Sequence, residues 1–279
     1  MSNELREKII DDLQKTGFPL EVLIATELKN NKWIVYNSPL YRDDETSKPR
    51  ELDIHAVNVD FSFANRVHRK MMEGNENKLI SHLIIQCKKT DKPWVFFDNG
   101  SISWPQIPLV NFKSQKEEFH GMLFEDLKKF GLKKHRYQNA KLHKSYHESF
   151  NDSKNSSRIY ESLITVNKAL RYFKKTYGIG GYSLHLFVPI VVIEGTLWSA
   201  SVKKNNNLSL KSVDRIFVVF NQLSLPDKRN TSYEEEQIVE VITRKSFSKY
   251  LTEITKDNKE LYMTWTNFIN RSLRLKQSK

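Results

Sequence analysis

The 279-residue chain has almost no sulfur chemistry: its only cysteine is Cys87. One thiol cannot close an internal disulfide, and a zinc site built from several cysteines is excluded with it. That usage fits a reducing interior. Long apolar runs are missing too. The longest, Leu184 to Ile193, is broken by His185 and Pro189 and falls far short of the roughly 20 residues that cross a bilayer. The N-terminus, MSNELREKIIDDLQ, alternates acids and bases as a helix start does and has no apolar signal-peptide core. A cytoplasmic protein with no membrane segment is expected. No internal repeat and no clean linker interrupt the chain. Gly178-Ile179-Gly180-Gly181 follows a helical stretch and lacks the Lys-Ser/Thr of a phosphate-cradling loop, so it reads as a helix stop and turn. No Ser/His/Asp order for nucleophilic catalysis stands out.

Positive charge, by contrast, is in excess. Forty-five Lys and Arg against 33 Asp and Glu leave a formal charge of +12. Such a balance draws a protein toward polyanions, because neutralising phosphates releases condensed counterions. A solvated lysine-rich surface gives the same total, so charge alone names no partner. Hydrophobic residues make up 39%, which is enough to bury a core in a chain of this length.

Helical spacing marks residues 4–15 and 18–30, with Leu20, Leu23, Ile24 and Leu28 on one stripe and Gly17 and Pro19 at the join. Trp33–Tyr41 and Glu51–Val59 read as strands on either side of the polar turn RDDETSKPR. Residues 61–77 are polar and basic, a helix or an excursion, and Lys78–Lys89 is a strong central strand. Trp94–Val110 suggests loops and short strands. Lys113–Ser157 suggests a helix and then a mobile surface stretch, of which 131–157 would order on nucleic acid. An amphipathic helix over Ile159–Tyr177 is followed by strands at Ser183–Glu194, Leu197–Val202, Arg215–Asn221 and Ile238–Thr243. Helices over Phe247–Ile254 and Glu260–Leu275 close the chain. Glu194, Gly195 and Trp198 suggest a hairpin turn, and Tyr233 to Glu236 a solvated lead-in. The simplest organisation is one α/β domain over 1–279, with its core motifs in 15–90 and a sheet and helix extension in 158–279.

Strand LIIQCKK carries the chemistry. Side chains alternate faces along a strand, so Gln86 and Lys88 share one face, roughly 6–7 Å apart, and Cys87 takes the other as a small core residue. In ELDIHAV, alternation puts Leu52, Ile54 and Ala56 on one side and Glu51, Asp53 and His55 on the other. An antiparallel neighbour about 5 Å away brings Asp53 opposite Gln86 and Lys88. A hard divalent cation takes carboxylate, carbonyl and water oxygens. Asp53, the Gln86 amide oxygen and the Cys87 backbone carbonyl supply such a set, with Glu21 reaching it directly or through a water. Lys88 would hold an attacking water and stabilise a charged transition state, while the metal polarises a phosphate and acidifies its water.

A helix with Glu, a strand pair with Asp and then Gln-x-Lys resembles the PD-(D/E)xK nuclease superfamily, in particular the Mrr-like restriction endonucleases with Gln at the second acidic position. The resemblance covers about residues 15–90. It places Asp53 at the first acid, Gln86 at the (D/E) position, Lys88 at the lysine and Glu21 at the helical glutamate. Leu52 stands where proline is common, Gln86 removes one negative charge, and 32 residues separate Asp53 from Gln86. The resemblance implies an α/β restriction-endonuclease-like fold, a mixed central sheet flanked by helices. It also implies Mg²⁺-dependent (or Mn²⁺-supported) endonuclease action on DNA rather than RNA, in prokaryotic restriction or antiviral defence. With no separate DNA-reading or nucleotide-binding motif, targeting would need a partner protein or a homo-oligomer. The alternative is an inactive nuclease-fold module that binds DNA or acts as an adaptor.

Basic stretches at 66–70, 113–116, 128–144 and 271–279 are candidate phosphate contacts, which position a duplex without reading it. Arg66, Arg69, Lys70 and Lys89 are the named candidates. His55, on the Asp53 face, could contact substrate or orient a ligand, or simply pack. His143 and His147 stand four apart, a metal-compatible helical spacing, in surroundings polar enough for a plain solvated surface.

Overall fold

A computed structural model describes residues 3–59, 78–98, 112–113, 136, 140–150, 158–177, 183–203, 205–223 and 234–277. Two helices open the chain, α1 (Asn3–Lys15) and α2 (Phe18–Asn30). Then come β1 (Ile34–Asn37), β2 (Leu40–Arg42), β3 (Pro49–Glu51), β4 (Ile54–Val59), β5 (Lys78–Lys89), β6 (Trp94–Asp98), β7 (Phe112–Lys113) and β8 (Leu142–Glu148). Helix α3 (Arg158–Thr176) leads to β9 (Ser183–Glu194), β10 (Leu197–Val202), β11 (Leu208–Ser212), β12 (Arg215–Leu223) and β13 (Glu234–Thr243), and α4 (Phe247–Gln277) ends the described chain. The sheet runs β1-β4-β5-β9-β13-β12-β8-β6-β10-β11, with β7 on the free half of β9 and β2-β3 forming a separate hairpin.

The architecture is mixed α/β, with helices on both sides of a large mixed sheet. Strand β5 sits antiparallel to β4 and parallel to β9. Its run of apolar residues is continuous because both faces are covered. Leu83, Ile85 and Cys87 face α2 and α4 in one core, while Ile84 faces α3 in the other. Each such buried aliphatic side chain contributes roughly 1.5–3 kcal/mol. Helix α3 turns Ile159, Leu163, Val166, Leu170 and Phe173 onto the sheet, the stripe that its periodicity demands.

Several boundaries differ from the sequence expectation for physical reasons. The chain over 33–41 splits at Ser38, whose φ of 47° turns β1 into β2. Opposite it, the chain over 51–59 bends at Asp53, so β4 begins only at Ile54. The two breaks are tied together: Ser38 N donates to Asp53 O at 2.9 Å, and Leu52 N to Pro39 O at 3.0 Å. Leu52 therefore packs in the α3 core, across the sheet from Ile54, and not beside it. The hairpin β2-β3 is pinned to α3 by Lys168, which reaches Asp43 at 3.0 Å and Glu45 at 2.6 Å, and by Arg171, 2.8 Å from Asp44.

Residues 142–148, expected in a mobile stretch, form β8 between β12 and β6. Strand β11 was not anticipated, Leu23 is exposed instead of joining the α2 stripe, and the two C-terminal helices are one. Gly195 makes a bend and no hairpin, because β9 and β10 are consecutive but do not pair. A Cβ there would lie 2.6 Å from Thr90 O, so only glycine allows the links β5–β6 and β9–β10 to pass side by side. Among the described residues no helix is long and apolar enough to cross a membrane.

Candidate active site

Pairing of β4 with β5 stops at Ile54↔Ile85, and Asp53 bends away just beyond it. Its carboxylate takes the place of the missing strand. Oδ2 accepts the Cys87 backbone N–H at 2.6 Å and Gln86 Nε2 at 2.7 Å. Gln86 is only 6% exposed, and with its nitrogen committed to Asp53, its Oε1 is buried with no hydrogen-bond partner. A buried acceptor left unmade costs on the order of 1–3 kcal/mol, so this oxygen marks a place where a cation or donor is wanted.

Burial, two hydrogen bonds and two nearby charges act on Asp53. Burial raises its pKa above the ordinary carboxylate value, the Cys87 N–H, Lys88 and Gln86 pull it back, and Glu51 pushes it up again. Glu21, in the first turn of α2, is also raised, first by burial, then by Asp53 and Glu51, with Lys88 opposing. The four sequence-derived residues are thus brought together. Asp53, Gln86 and the Cys87 backbone touch, Lys88 is close enough to lower the pKa of Asp53, and Asp53 is close enough to raise that of Glu21. Glu51 is the member that sequence reasoning left out. Its signal was present, since ELD sets two acids two residues apart, on one face of an extended chain.

A divalent cation fits this set through the Asp53 carboxylate, the orphan Gln86 Oε1, the Cys87 carbonyl and Glu21, all hard oxygen donors. The acidic content is low, however: among the described residues, no three His, Cys, Asp or Glu side chains converge as a metal site. The Cys87 thiol is buried, and burial, then Asp53 and Glu21, push its pKa well above the usual value. It is a core group and no nucleophile.

His55 is a correction. It is 1% exposed, so it cannot touch a nucleic acid. Its Nε2 meets His82 Nδ1 at 3.1 Å, and His82 Nε2 meets His185 Nδ1 at 2.9 Å. The three imidazoles form a line across β4, β5 and β9, stacked on Phe173 and Phe187. Desolvation lowers His55 to about 4 and, joined by its two neighbours, His82 to about 2. His55 and His82 are therefore neutral at pH 7.

The spacing of His143 and His147 is not helical, because both lie on β8; His143 is buried with Nε2 2.9 Å from Ser199 Oγ. Lys89 faces away from Lys88: its Nζ donates to Gln14 O and lies 3.7 Å from Glu194. Arg66, Arg69 and Lys70 fall outside the described residues, as do Gly178 to Gly181 and much of the basic stretches. No protein-family model, no curated protein and no solved structure matches the chain.

Proposed function

We propose that the chain is a Mg²⁺-dependent nuclease of the PD-(D/E)xK type that hydrolyses phosphodiester bonds in DNA. The observation that carries this reading is the orphan Gln86 Oε1 beside a carboxylate fixed by the Cys87 N–H, with Lys88 at hand. The order helix with Glu21, strand pair with Asp53, strand with Gln86 and Lys88 is also the order on which the resemblance rests. Membership of a restriction or antiviral defence system, and targeting through a partner or a homo-oligomer, belong to this proposal and rest on the resemblance alone.

Asp53 is oriented before any ligand arrives, since the backbone N–H of Cys87 and the Gln86 amide both bond to its Oδ2. Gln86 contributes its amide oxygen, and Glu21 closes the set from α2. Bound Mg²⁺ supplies polarisation of the phosphate and a more acidic water. Lys88 donates to the attacking water or to a phosphate oxygen, and its positive charge offsets the charge that builds at phosphorus. Because both Asp53 and Glu21 have raised pKa values, the metal-competent ionised pair forms only as pH rises, and activity falls on acidification.

One arrangement favours a second reading, an inactive DNA-binding or adaptor module. Gln86 turns its nitrogen, not its oxygen, to Asp53, which satisfies the acid without metal. Supercoiled plasmid with Mg²⁺ or Mn²⁺ separates the two. The nuclease nicks or linearises it, and EDTA, Asp53→Ala or Lys88→Ala each abolishes the product. Retardation of DNA by a wild type that cleaves nothing identifies the binding module.

A further inference from the structure

A cavity of about 520 Å³ opens on the α3 side of the sheet, between the first turns of α3 and strands β8 and β12. Its walls are aromatic and its polar groups few: Tyr146, Tyr160 and Phe220, with Asn221, Lys144 and, from the β2-β3 loop, Glu45. The rings are held in place. Phe220 is buried and Tyr160 leans on it, centroids 6.0 Å apart and tilted by 52°. Tyr146 is backed by the fully buried Phe96 at 6.0 Å.

Lys144 owes its direction to an irregularity. Phe97 pairs with Ser145 and Asp98 with His143, so Lys144 is the extra residue of a bulge, a device that re-aims a side chain out of the alternating pattern. Glu45 is bound to Lys168 at 2.6 Å and to Arg171 at 3.3 Å. Its carboxylate is therefore offset and does not make the mouth repel anions.

A purely apolar ligand is a poor match, because two tyrosines, an asparagine and a lysine are among the lining residues. A small anion leaves the three rings unused. A planar heterocycle with a phosphate uses both parts. Aromatic faces stack a base for about 1–3 kcal/mol, an asparagine amide presents a donor and an acceptor to a base edge, and a lysine is a point charge for phosphate.

We propose that this cavity binds a single nucleotide, its base among Tyr146, Tyr160 and Phe220, its edge on Asn221 and its phosphate toward Lys144. Following the strand registers from Asn221 through β13 and β9 to β5, the cavity lies roughly 20 Å from Gln86. It is thus a second site, and it stands whether or not the Asp53 site cleaves. The nucleotide comes either free or as one unit of a strand lying across the sheet.

Calorimetric titration of the full chain in EDTA with AMP, GMP, CMP and UMP, and separately with a single strand of about 15 nucleotides, tests it. Tyr160→Ala and Asn221→Ala are the variants, since Tyr160 is 43% exposed and Asn221 is exposed, with melting temperature as the folding control. Saturable binding of a mononucleotide, weakened about tenfold or more in both variants, supports the proposal with a free nucleotide as ligand. Binding of the oligonucleotide alone, weakened likewise in both variants, supports it with a strand as the source. Absence of binding by every probe up to about 5 mM, or binding that both variants leave unchanged, overturns it.

Discussion

Strand β5 carries two polar clusters on one face, separated by Ile84, and they are built in opposite ways. Around His82 the imidazoles are sealed under Phe173 and Phe187, linked by contacts of 3.1 and 2.9 Å. No ring nitrogen of that row is both buried and unpaired. Around Gln86, four residues on, one buried oxygen has no partner, and two carboxylates are held at raised pKa beside a lysine. The same strand thus shows a satisfied network, which fixes which strands lie side by side, and a frustrated one, which stability alone does not explain. Polar burial by itself does not mark function; an unpaired buried oxygen set beside two carboxylates of raised pKa and a lysine is the better sign.

The histidine row gives the largest expected effect on stability. His82→Leu removes both inner partners, leaving His55 Nε2 and His185 Nδ1 without their present contacts, and should cost about 3 kcal/mol in urea unfolding at neutral pH. The row should also dominate acid sensitivity. His55 and His82 titrate near 6.5 when unfolded and at about 4 and about 2 when folded. The unfolded chain therefore takes up protons first, and stability falls as pH drops below 6.5, by roughly 1.4 kcal/mol per pH unit for each histidine. In His82→Leu one of those two contributions disappears, so the slope between pH 6.5 and 4 should be shallower. An unchanged slope would assign the acid sensitivity elsewhere.

A smaller effect, of opposite sign with and without metal, is expected at the other cluster. Gln86→Glu exchanges the 2.7 Å donor to Asp53 for a second carboxylate. Without metal it should melt below wild type through like-charge repulsion. With Mg²⁺ it should gain more than wild type does, because ligand binding adds RT ln(1 + [L]/Kd). Equal shifts in both proteins would remove Gln86 from the ligand set. The smallest effect belongs to Lys89, whose pair with Glu194 is exposed on both sides. Lys89→Ala should change stability by no more than about 0.5 kcal/mol, in contrast with the loss of cleavage expected for its neighbour Lys88.

Much of the frame was legible because β5, β9, β10 and α3 have strong local signals: strand-like apolar segments or a clean helical stripe. Asp53, Gln86 and Lys88 were legible through period-2 alternation and the short separation of strand neighbours. What was hidden depended on distant partners. The bend at Asp53 is set by Ser38, fifteen residues earlier. Strand β8 is polar enough to read as a loop, and only its place between β12 and β6 makes it a strand. The histidine row joins residues from three strands far apart in sequence, so no local signal linked His55 to His82 or His185.

The most direct measurement joins activity and stability in one variant, Asp53→Asn. Turned with its oxygen inward, asparagine still accepts from Cys87 N–H and Gln86 Nε2, while the carboxylate charge disfavoured by burial is gone. The account predicts that plasmid cleavage is lost while the melting temperature at neutral pH holds or rises, as expected where function is bought with stability. Cleavage at the wild-type level, or a melting temperature that falls as it would for a member of the core, would contradict it.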